Sequence, residues 1–95
     1  MDRAAVITVD LSAVTSSRQL HLTLRDALDF PDWYGCNWDA FWDAISGLVC
    51  LPLHIQFVGW PALCQRLPED ARLMTECLAR MTVQYPESAA DVGFD

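Results

Sequence analysis

Residues 5 to 11, AVITVDL, alternate apolar with polar positions and are rich in β-branched side chains, which predicts a strand. From residue 16 the period lengthens. Leu20, Leu24, Ala27 and Leu28 recur at helical spacing behind Ser16 or Ser17, either of which can cap the helix, and Pro31 ends the run. A loop through Tyr34 and Gly35 then leads to a short helix over 38–46, which Asn37 can cap and Gly47 can stop. Residues 51 to 59, LPLHIQFVG, predict a second strand with Leu53, Ile55 and Phe57 on one face and His54, Gln56 and Val58 on the other. Trp60 to Leu67, with Pro61 in its first turn, reads as a short helix. Pro68 to Gln84 reads as a long one, with Ala71, Met74, Cys77, Leu78 and Met81 on one stripe. The tail ADVGFD predicts a weak last strand, shortened by Gly93.

The order β-α-α-β-α-α-β has connections long enough to carry one strand back parallel to the last. The expected class is therefore α/β, a small three-stranded parallel sheet packed with about four helices. Ninety-five residues suit a single domain over 1–95, and 53% hydrophobic against 20% charged residues supply a core without signs of disorder. Position two is acidic and the N-terminal apolar run is too short and too soon interrupted by Asp10 for a signal peptide, and no run reaches the roughly 18 residues of a membrane span. The expectation is a cytoplasmic protein with no membrane partner, a monomer when free. Cys36, Cys50, Cys64 and Cys77 form no Cys-x-x-Cys pair and read as small apolar fillers, with neither a metal nor a cofactor implied. A net charge of −7 disfavours nucleic acid, which selects for basic patches, and favours a cationic protein partner.

That charge is not scattered evenly. On a wheel of about 100° per residue, Trp38, Phe41, Trp42 and Ile45 share one arc, the stripe of a core-facing helix. Asp39, Asp43 and Ser46 fall on the adjoining arc, with Trp42 at the border. Asp39, in the first turn, complements the helix dipole by about 0.3 to 1 kcal/mol and on that ground requires no function. Asp43 has no such duty and stands a turn from a like charge, a repulsion of a few tenths of a kcal/mol. A pair held at a local cost beside a border tryptophan is suited to receive a cation.

The run FPDWYGCNWDAFWDAISG, residues 30–47, resembles the barstar family, intracellular inhibitors of barnase-type ribonucleases, in its aromatic pair, Gly, Asn, and helix with Asp-Ala-x-Trp-Asp and a terminal Gly. The resemblance implies a three-stranded parallel sheet and an inhibitory face made by the second helix and the loop before it. Carried over by position, Trp33 takes the place of a loop aromatic that touches the nuclease. Asp39, Trp42, Asp43, Ser46 and Gly47 take the helix positions that enter or flank its active site. The partner implied is a cognate ribonuclease toxin, bound one-to-one, and the protein would be its immunity protein or antitoxin, not an enzyme. Cys36 stands where relatives often carry a charge, and Leu48 where an aromatic contact is expected, so the class of partner is carried over and barnase itself is not. A glutamate on the last helix also joins the interface in the family; Glu69 and Glu76 both qualify.

Two other classes compete. Asp39 and Asp43 could be the acid and base of an enzyme, but they lie on a helix surface, and His21 and His54 lie on other elements, His21 expected in solvent and His54 packed on the sheet. Alternatively, the domain is a non-catalytic interaction module of the same fold that binds another basic partner. Turnover would mark the first. A non-nuclease partner captured from the native cell would mark the second.

Overall fold

The structure, a computed structural model, describes residues 3–95. Met1 and Asp2, including the acidic second residue in the signal-peptide argument, lie outside the described residues. The chain runs β1 (Val6–Asp10), α1 (Ser17–Leu28), α2 (Trp38–Asp43), β2 (His54–Val58), α3 (Trp60–Arg66), α4 (Pro68–Gln84) and β3 (Asp91–Phe94). The three strands form one parallel sheet in the order β1-β2-β3, with Val6 opposite His54 and His54 opposite Asp91. The α/β expectation, a small parallel sheet with four helices, is met.

Local chemistry sets the boundaries. Ser16, extended at φ −142°, accepts the Gln19 N–H at 3.1 Å and starts α1. Asp29 then turns left-handed at φ 62° and donates its N–H to the Arg25 carbonyl, ending the helix two residues before Pro31. Gly59, at φ 75°, opens α3 directly after β2. A Cβ there would lie 2.5 Å from the Ser12 amide nitrogen, so both the conformation and the close approach require glycine.

Alternation on β2 divides the sheet's two faces. Ile55 and Phe57 are fully buried with Val9 of β1 and pack beneath Leu20 and Leu24 of α1, Phe41 and Ile45 of the second helix, and Met74 of α4. Leu53 does not join them. It precedes the strand and is 53% exposed, although its N–H donates to the Ala4 carbonyl and its carbonyl accepts the Asp91 N–H, both at 2.8 Å. On the opposite face His54 Nδ1 meets Asp91 Oδ2 at 3.0 Å, His54 Nε2 meets Gln56 Oε1 at 2.8 Å, and Gln56 donates to Asp95 at 2.7 Å. Parallel sheets are ordinarily covered on both faces. Here the open face is a half-exposed polar ladder joining β2 to β3, so His54 lies in hydrogen bonds along the sheet and not under apolar cover.

No helix among the described residues is long and apolar enough to cross a membrane. Cys36, Cys64 and Cys77 are half-buried, whereas Cys50 is exposed in the loop before β2, which corrects its reading as a filler.

Candidate functional site

The loop 29–37 and the helix after it are fixed from several directions. Within the pair Trp33-Tyr34 the rings part. Tyr34 is buried against Phe30, with ring centroids 4.9 Å apart, and Trp33 is 73% exposed. The Tyr34 amide closes a turn onto the Pro31 carbonyl at 2.9 Å, and its hydroxyl shares a 2.7 Å hydrogen bond with His21 Nδ1. His21, expected in solvent, is 1% exposed. It lies three and seven residues before Leu24 and Leu28, on their stripe, and that spacing was the available signal. Burial lowers its pKa against the opposing pull of Asp70, and burial likewise pushes the Tyr34 phenol up. A neutral imidazole thus anchors the loop.

Asn37 joins loop to helix. Its Oδ1 accepts the Ala40 N–H at 2.7 Å, while its Nδ2 donates back to the Gly35 carbonyl at 3.2 Å across Cys36, itself left-handed at φ 52°. One residue on, Trp38 packs on the His21 ring at 4.3 Å and donates its indole N–H to Asp70 Oδ1 at 2.9 Å. The Ser17 hydroxyl reaches the same oxygen at 3.2 Å, so Asp70 of α4 ties together the first turns of α1 and α2. Sequence spacing could not have paired residues so far apart in the chain.

The second helix does not stop at Gly47. Past Asp43 it widens into a π-helical turn, Ala44–Leu48, in which Val49 donates to the Ala44 carbonyl at 3.2 Å. Ser46 contributes to this, since its hydroxyl donates to the Trp42 carbonyl at 2.6 Å. Gly47 is exposed, needs no positive φ, and would meet nothing within 4 Å if given a Cβ. It is a bare spot on the surface and not a left-handed cap.

Phe41 and Ile45 are buried, Trp38 and Trp42 half-buried, Asp39 and Asp43 exposed, as the wheel predicts. Asp39, Trp42, Asp43, Ser46 and Gly47 therefore lie along one continuous helical element, and Trp33 stands on the loop that leads into it. Among the described residues neither Asp39 nor Asp43 is in an ion pair. One face of Trp42 is occupied by the Arg80 guanidinium of α4, 4.2 Å from its ring centroid, and the Tyr85 ring lies 6.3 Å from Trp42. Glu69 and Glu76, the two candidates on α4, both pair with Arg72.

The arrangement offers two exposed carboxylates and a half-buried aromatic ring on one helical element. A groove of about 560 Å³ between α4 and β3, lined by Leu78, Thr82, Val92 and Phe94, and a cleft of about 180 Å³ beside Ser46 and Gly47 both leave out Asp39 and Asp43. Exposed carboxylates a turn apart on a helix can receive cations from a partner.

The profile of the family described as Barstar (barnase inhibitor) matches residues 4–94. A 36-residue stretch is 62% identical to a Bacillus subtilis (strain 168) protein named "Putative ribonuclease inhibitor YrdF", covering 38% of this chain and 40% of that protein. With nearly every described residue inside the family match and the sheet order and capped second helix in place, the chain belongs to the barstar family.

Proposed function

We propose that this protein inhibits a cognate basic ribonuclease toxin by seating Asp39 and Asp43 in its active site, as an immunity protein of the cytoplasm. The observation that carries the reading is the pair of exposed carboxylates, without ion-pair partners among the described residues, on a helix held by its Asn37 cap and by Asp70. A ribonuclease binds RNA phosphates with Arg, Lys and a general-acid His, so rigidly held carboxylates can take the phosphate positions without offering a bond to cleave. Trp33, exposed on the loop before the helix, and Trp42, half-buried on it, add rigid aromatic surface of the kind that dominates interface energetics. Gly47 leaves room for close approach, and the Ser46 hydroxyl stands beside it. Residues 1–95 act in this reading as one non-catalytic domain, monomeric until it meets its partner. Family membership and the name of the relative support the ribonuclease as partner class.

The test is a titration of purified protein into basic ribonucleases of the barnase type and into toxin nucleases. Activity of the cognate enzyme should fall linearly to zero at one equivalent, and the protein alone should cleave no RNA. Undiminished activity across every nuclease tried would remove the inhibitor reading and leave an interaction module for another basic partner.

A further inference from the structure

The candidate surface is not uniformly acidic. Arg80 on α4 is exposed, and its guanidinium stacks on Trp42, at 4.2 Å from the ring centroid. Among the described residues it has no carboxylate partner, whereas Arg72, two turns earlier, is held by both Glu69 and Glu76. Arg80 belongs to α4 and Trp42 to α2, so this contact places a cation on the same stretch of surface as the aspartates of the second helix.

Any partner that covers Trp42 must also cover the guanidinium lying on it. A guanidinium over a ring face keeps N–H donors that the ring does not satisfy. A cation taken out of water without an acceptor costs several kcal/mol, so an interface closed over Trp42 is disfavoured unless the partner supplies that acceptor. A planar fork of donors is best met by a carboxylate.

We propose that Arg80 is a specificity-determining residue of the interface, and that the nuclease presents a carboxylate to it at the rim of the cationic centre that receives Asp39 and Asp43. The inference rests on the inhibitor reading above and narrows it. The partner surface is dipolar, with an acidic group beside a basic one, and a nuclease whose rim is basic throughout is excluded by repulsion from Arg80.

The experiment uses the ribonuclease identified by titration and compares the full-length protein with Arg80→Lys, Arg80→Ala and Arg80→Glu, with Asp43→Ala as reference. Melting curves establish that each variant is folded, and Arg80→Lys keeps the charge should the others not fold. Arg80→Glu should weaken binding by at least about tenfold, and Arg80→Ala and Arg80→Lys by less, Lys keeping the charge without the planar fork, with the loss mainly in the dissociation rate. Tighter or unchanged binding by Arg80→Glu, while Asp43→Ala binds weakly, would overturn this inference and leave the inhibitor reading intact. Equal losses in Arg80→Lys and Arg80→Glu would assign Arg80 to packing and also overturn it. No effect from either Asp43 or Arg80, or no nuclease inhibited, would remove the inhibitor reading and this inference with it.

Discussion

At the scale of single residues, the two histidines respond to pH in opposite directions. His21 is buried against Tyr34 and Trp38 and its pKa is lowered, so the unfolded chain takes up a proton before the folded one does. Its contribution to stability is full above the unfolded value of about 6.5 and is lost as pH falls from there towards the folded value. His54 on the open sheet face has its pKa raised by Gln56 and then Asp91. Its contribution is present below about pH 6.5 and is lost as pH rises through the folded value. In a His54→Gln background the melting temperature should therefore fall between about pH 7.5 and 5.5, and adding His21→Leu should flatten that slope. A slope that persists without His21 would show that another group is responsible. The acidic arc, Asp39 and Asp43 outward with Phe41 and Ile45 inward, was legible because one short helix carries the whole pattern. The burial of His21 was harder to read. A polar residue on an apolar stripe is satisfied by a partner elsewhere in the chain, here Tyr34, which periodicity does not identify.

At the scale of elements, the second helix is too short to persist by propensity alone and depends on its ends. Asn37 holds the first turn and draws in the loop through Gly35, so Asn37→Ala should cost about 0.5 to 2 kcal/mol. In a domain of this size that lowers the melting temperature by several degrees, and Asn37→Asp should recover most of it. An Asn37→Ala protein that melts with the wild type would mean that packing on α4 alone holds the helix. The strands and helices were readable from periodicity and caps; β1, β2 and β3 came out a few residues shorter than their apolar runs. Leu53 is the instructive case, since alternation assigns a face but not the residue at which the cover over that face begins. The π-helical turn at Ala44–Leu48 was not legible, because Gly47 invites a left-handed stop and the bond from Ser46 to Trp42 that accompanies the wide turn is a side-chain detail.

At the scale of the whole molecule, a charge of −7 acts before contact is made. Association with a basic nuclease should slow steeply between about 0.01 and 0.5 M salt, as the screening length contracts from about 30 Å to a few ångströms, while dissociation changes much less. An association rate indifferent to salt would place docking away from the acidic face. The parallel sheet with its four helices followed from the order and length of the elements, whereas its open polar face did not, since only the assembled register aligns His54 with Asp91. Steering concerns the whole surface; the proposed inhibition rests on two side chains. The most direct test is the affinity of Asp43→Ala for the nuclease, measured alongside its melting temperature. Asp43 caps nothing and faces Asp39 across a turn, so its removal should leave the melting temperature unchanged or slightly higher. Binding should nonetheless weaken by at least about 2 kcal/mol, roughly thirtyfold, because the partner's cation is left buried and unpaired, an effect of which the barnase and barstar complex is itself an instance. A variant that binds like the wild type but melts several degrees lower would make the carboxylate structural and contradict the account.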